Sequence, residues 1–286
     1  MAIRSIQKSF RRHARADGDK LGVAPATSPS RTANRYAPLA ALANVDIIGG
    51  FRNWHRGRLM VVQWPAVVLD RYVAPKCSAL VNCLAPEVPE LHDYFGSFFF
   101  NNIFTEQLPE RTLSLTNVFL RRFANAVQDY RNGRREMLAC IAAPPCSNEM
   151  VRAYMRALSH FEASVVNTNL ALKAHDTVGK LWNPKEPLSF SKGDGSPCQR
   201  LNAVYNALKH FDENMAKGIV PPNVFTPMWL VDDGIESVGS EGEAKLHFKE
   251  LIDVQLDLEK DAGWIAEEVY RVIQERDAKT NKMTEH

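Results

Sequence analysis

From about residue 110 onward the apolar residues of the chain recur at steps of three and four, a spacing that predicts helices. Leu120, Phe123, Val127, Tyr130, Met137 and Ile141 lie near one stripe of a helix from about Glu110 to Ala142, which Pro144-Pro145 closes. A second helix starts behind the N-cap Ser147. It aligns Val151, Tyr154, Leu158, Phe161, Val165, Thr168 and Leu172 as far as Gly179. The third, Ser196 to Gly218, is the best punctuated: Ser196 suits the N-cap, Pro197 the first helical position, and Gln199 a capping box. Gly218 then stops it in a left-handed turn, and Pro221-Pro222 forbid continuation. Its apolar face is Leu201, Val204, Leu208 and Phe211. The fourth runs from about Lys245 to Asp277 with Leu251, Val254, Leu258, Ala262, Ile265, Val269 and Val272 in register. Helices with one apolar stripe each bury it most simply against one another, so residues 109–286 read as a mainly α, antiparallel four-helix bundle domain. Asp233-Gly234, between two short extended runs, adds a small β-hairpin.

Before residue 109 no period is sustained. Residues 37–108 read as an irregular apolar arm packing on the bundle, with a helix over Leu39 to Ile48 and a strand or buried helix over Leu59 to Tyr72. Phe95, Phe98, Phe99, Phe100 and Phe104 form an aromatic cluster that needs burial in the core or in an interface. Residues 1–36 read as a disordered tail with eight Lys or Arg against two acids, which puts +6 there and, from the overall +2, leaves −4 on the rest. A mildly acidic body is not a dedicated nucleic-acid platform, whereas the tail fits a targeting signal, a membrane-surface helix, a phosphate-neutralising arm or a featureless extension.

The five cysteines, an odd number without a secretory signal, point to free thiols in a reducing, cytoplasmic setting. Their spacing matches no zinc site, so neither metal nor cofactor is expected. The most apolar run, Leu59 to Leu69, is too short to cross a membrane. Asp232 and Asp233 read as turn chemistry, and His92, His160, His175 and His247 as surface or capping residues.

Candidate chemistry concentrates on the polar side of the third helix, where Asn202, Asn206, Lys209, His210 and Glu213 share a face. A histidine beside an amide and an ammonium suits proton transfer or phosphate contact, although any amphipathic helix has a wet side. Arg52, Trp54 and Arg56 form a second candidate, a basic aromatic loop suited to phosphate or base stacking. The helices, the long connection Leu181 to Gly195 and the run Arg200-Leu-Asn-Ala-Val-Tyr-Asn-Ala-Leu-Lys-His210 together resemble the HEPN superfamily of helical-bundle proteins, over roughly residues 110–277. Catalytic members are metal-independent ribonucleases that set Arg and His four to six residues apart and often pair two protomers. The resemblance implies His210 as acid or base, Arg200 as phosphate clamp, Asn206 as orienting group and Lys209 as added positive charge. Here nine residues separate Arg200 from His210, which leaves them about 80° apart around the helix and about 15 Å along it. They do not grip one phosphate from one helix.

The expected function is therefore a HEPN-like module that binds a protein or nucleic-acid partner, RNA included, with a homodimer as one arrangement. One alternative is a metal-independent ribonuclease of a defence or toxin system, using His210 with an arginine from elsewhere, such as Arg121, Arg122 or Arg152. The other is a scaffold that engages a membrane surface or an assembly through its basic tail.

Overall fold

The computed structural model describes residues 73–89, 94–96, 98, 109–220, 224, 226–238 and 244–284. The basic tail, the loop with Arg52, Trp54 and Arg56, the segments Leu39 to Ile48 and Leu59 to Tyr72, and Phe99, Phe100 and Phe104 lie outside these residues. The described chain is mainly helical with a small three-stranded antiparallel sheet. Its elements are α1 (Ala74–Ala79), α2 (Glu110–Ala142), α3 (Asn148–Trp182), α4 (Pro197–Lys209), α5 (Phe211–Ala216), β1 (Met228–Val231), β2 (Gly234–Ser237), β3 (Lys245–His247) and α6 (Phe248–Thr284).

An antiparallel hairpin of α2 and α3 is the largest unit. Pro109 precedes its first helix, Pro144 follows it, and the Ser147 hydroxyl accepts the Met150 N–H at 3.1 Å to start the second. At Gly133 the helices come so close that a Cβ would lie 3.0 Å from the Phe161 ring. That ring is fully buried between Tyr130, edge-on at 5.5 Å, and Phe248 at 4.7 Å. Burial of such a side chain is worth roughly 1.5–3 kcal/mol, and truncating it adds the cost of a cavity. The long helix α6 is registered on α3 by buried hydrogen bonds. The Gln255 amide donates to Ser164 Oγ at 3.1 Å and to Thr168 Oγ1 at 2.9 Å, while Ser164 Oγ donates to the Ala126 carbonyl at 2.8 Å. A polar link inside an apolar seam fixes one register, because slipping by a turn would strand the amide.

Two of the expected elements differ. The helix expected over Ser196 to Gly218 is broken at His210, whose φ of −105° and ψ of 13° end α4 before α5 begins. Phe211, the first residue of the second piece, is buried all the same. Gly218 does take the left-handed conformation, at φ 68°, and stops the second piece. The helix expected from Lys245 starts instead at Phe248, because Lys245–His247 pair with Gly234–Glu236 as a third strand. The Asp233-Gly234 hairpin forms, with Val231 opposite Gly234, and Gly234 is required there: a Cβ would meet the Leu246 carbonyl oxygen at 2.4 Å.

An extended strap, residues 80–89, crosses this end of the molecule. Asp232 takes the Val81 and Asn82 N–H groups on Oδ1 at 2.9 and 3.1 Å and the Leu84 N–H on its carbonyl at 2.9 Å. Further along, the strap's own carbonyls accept from α2. Tyr130 donates to Pro86 at 3.1 Å, Arg134 to Ala85 at 3.0 Å, and Arg131 to Pro89.

Candidate functional site

On α4, the intended buried face is in place, with Leu201 and Val204 fully buried and the polar positions turned outward. Asn206 and Lys209 are exposed; Asn202 and His210 are half-buried. His210 Nδ1 lies 3.5 Å from Glu213, which also meets Lys217 at 3.8 Å, so Glu213 is the counter-charge of this end. The structure adds a residue that the sequence pattern did not single out. Lys173 of α3 lies with its Nζ 4.5 Å from the centre of the Tyr205 ring, beside Lys209. Burial, and then the Lys209 charge, hold the Lys173 ammonium below its ordinary value. Among the described residues neither ammonium has a carboxylate within ion-pair distance.

Arg200 behaves differently. Its guanidinium forks onto Glu250 of α6, with Nε at 3.1 Å from Oε2 and Nη2 on Oε1, and Nη1 donates to the Gly195 carbonyl. Burial opposes the charge on Glu250. The Arg200 fork and the His247 N–H at 3.2 Å outweigh that and leave its carboxyl below the usual value. The capping chemistry around this end is equally complete: Ser196 Oγ accepts the Gln199 N–H at 3.2 Å, Gln199 Oε1 accepts the Gly195 N–H at 2.5 Å, and Asp194 accepts the Ser196 N–H at 2.8 Å. Arg200 therefore does not meet His210. It meets the start of α6.

The turn that carries Asp232 and Asp233 reaches the same place. Asp233 takes Lys245 Nζ on Oδ1 at 2.8 Å and His247 Nδ1 on Oδ2 at 3.0 Å, and its carbonyl accepts the Phe248 N–H at 2.9 Å. The hydrogen bond from Lys245 is the main reason its carboxyl is held below the ordinary range. No group of three or more metal-ligating side chains forms among the described residues.

Two other histidines change standing. His175, expected as a surface or capping residue, has both ring nitrogens buried in the seam between α3 and α6, with Nε2 3.1 Å from Asp261 and Nδ1 3.9 Å from Asp176. Burial works against its charge, but Asp176 and Asp261 overcome that and push it up to about 9. Asp176 in turn accepts the Ser189 N–H at 3.2 Å and the Ser189 hydroxyl, tying down the connection into α4. His160 lies 3.8 Å from Asp129, within a polar chain that continues through Asn167 to Arg122. Arg122 is thus spent on the α2–α3 hairpin, while Arg121 and Arg152 are exposed. All five cysteines are free thiols, and no helix among the described residues is long and apolar enough to cross a membrane.

Compared with family models, with curated proteins and with solved structures, the chain matches none.

Proposed function

We propose that the protein is a HEPN-like helical module that binds single-stranded RNA on the outer face of α4. In this reading α2, α3, α4 and α6 act as one antiparallel bundle. The carrying observation is the pair of ammonium groups, Lys173 over Tyr205 and Lys209 beside it, without a carboxylate in reach among the described residues. The two cations repel, and the phosphates of a strand laid along this face relieve that repulsion while releasing the counterions of the strand. Asn206, Asn202 and His210 supply further hydrogen-bonding groups on this face. None of them is joined there by Arg200, which favours binding over cleavage.

The test is fluorescence anisotropy of a labelled single-stranded RNA with the full chain at several salt concentrations. Exchanging both Lys173 and Lys209 for Ala is expected to weaken binding about tenfold or more and to lower the salt slope by roughly 1.4, about 0.7 for each single-strand phosphate contact removed. Equal affinity and slope in the variant would remove this surface from the reading.

A further inference from the structure

We propose that His247, held by Asp233 beside Lys245 and with Arg200 linked to its main chain through Glu250, is an acid–base catalytic residue of a site for phosphate esters. The site is separate from the RNA surface: Arg200 and Lys209, nine residues apart on α4, lie about half a turn from each other around the axis.

Five residues from four parts of the chain converge here. Asp233 comes from the β1–β2 turn, Lys245 and His247 from β3, Glu250 from the start of α6, and Arg200 from α4. A carboxylate 3.0 Å from Nδ1 selects the tautomer that carries its proton there and leaves the lone pair on Nε2. The carboxylate is itself positioned, because Lys245 holds its other oxygen at 2.8 Å. The main chain of the histidine is fixed as well, through its N–H to Glu250 at 3.2 Å. Nucleophile or water activation needs a base oriented by a third group, and this arrangement supplies one on a strand end and a tight turn rather than on a long loop.

Stability alone does not account for the cluster. The side chains of His247, Asp233 and Lys245 are 45, 40 and 37% exposed, and ion pairs at such exposure contribute roughly 0–1 kcal/mol. The cations also keep unspent donors. A guanidinium has about five N–H groups; Arg200 uses Nε, Nη1 and Nη2 once each, and Lys245 uses one of its ammonium hydrogens. Cationic donors beside a basic imidazole match an anionic ester. In the step, Nε2 takes a proton from water as the water oxygen attacks phosphorus. The phosphorus–oxygen bond to the alcohol then breaks, and the leaving oxygen receives the proton from the imidazolium. Water is the only co-reactant.

The experiment measures release of p-nitrophenolate from p-nitrophenyl phosphate and from bis(p-nitrophenyl) phosphate by the full chain, from about pH 5 to about pH 8, across the titration range of histidine. Turnover of either ester is expected, with the monoester and diester arms identifying the class. His247→Gln should reduce it about 100-fold and remove the pH limb, while Asp233→Asn should reduce it about tenfold. Circular dichroism and melting temperature should be unchanged in His247→Gln. No turnover of either ester above buffer, or turnover that His247→Gln retains, overturns the proposal. The RNA reading is tested by anisotropy and this one by release of p-nitrophenolate, so the two readings fail separately.

Discussion

At the N-terminal end of α4, Arg200 has Glu250 and Gly195, Ser196 has Gln199, and Asp194 has the loop amides. At the C-terminal end, Lys209 stands near Lys173 with no carboxylate within ion-pair distance of either among the described residues, while the exposed Glu213 is shared by His210 and Lys217. One helix thus carries a closed electrostatic end and an open one. Charges that hold a fold are matched within it, because a half-buried charge without a partner is costly. Like charges left together destabilise and are more readily explained by what they bind than by what they support. The RNA reading rests on that difference.

The contrast can be broken first at His175, which anchors the loop entering the closed end through Asp176 and Ser189. His175→Ala would leave Asp176 and Asp261 without the cation they share, and a loss of about 3 kcal/mol is expected in urea denaturation. Its titration gives the next effect. With the folded value raised to about 9 from the ordinary 6.5, protonated His175 adds stability that is complete below pH 6.5 and disappears as pH rises through about 9. A decline on the order of 2–3 kcal/mol between neutrality and pH 9.5 follows, and a chain carrying His175→Ala should lack it. A stability flat over that window would show that the carboxylates do not hold the charge.

Arg200→Ala comes third. It removes the fork from the half-buried Glu250, at a cost of about 2 kcal/mol, and leaves RNA affinity unchanged at temperatures where the chain is folded. A variant that kept its stability but lost RNA would reverse the assignment of the two ends. Smallest in stability is the exchange of Lys173 and Lys209 for Ala, within about 0.5 kcal/mol of the parent, with the whole effect appearing in binding.

What the sequence made legible was local. Pro109, Pro144, Ser147 and Ser196 mark helix ends through their own backbone chemistry, and α2 begins and ends where its prolines place it. Gly218 acts through the left-handed conformation it permits, and Gly234 through the room its missing Cβ leaves for the β3 backbone. The break at His210 was hidden because Phe211 continues the apolar stripe of Leu201, Val204 and Leu208, so the pattern across it reads as one unbroken helix. Three residues of β3 are too few to show an alternating period, and Lys245, Leu246 and His247 are compatible with a helix start. The polar stripe of α4 could be read, but its two decisive features could not. Lys173 looks like any lysine on the wet side of α3 until the helices pack, and Arg200 finds Glu250 fifty positions away along the chain.

The strap over residues 80–89 has a consequence for the order of assembly. The α2–α3 hairpin closes over a connection of residues 143–147, whereas the bonds from Val81 and Asn82 to Asp232 join positions 151 and 150 apart. Because the entropy of closing a loop grows with its length, the hairpin can nucleate alone while the strap waits for the β1–β2 turn. The strap amides that bond to Asp232 should therefore be the last to gain hydrogen-exchange protection during refolding and the first to lose it under mild denaturant, ahead of any amide in the α2–α3 seam.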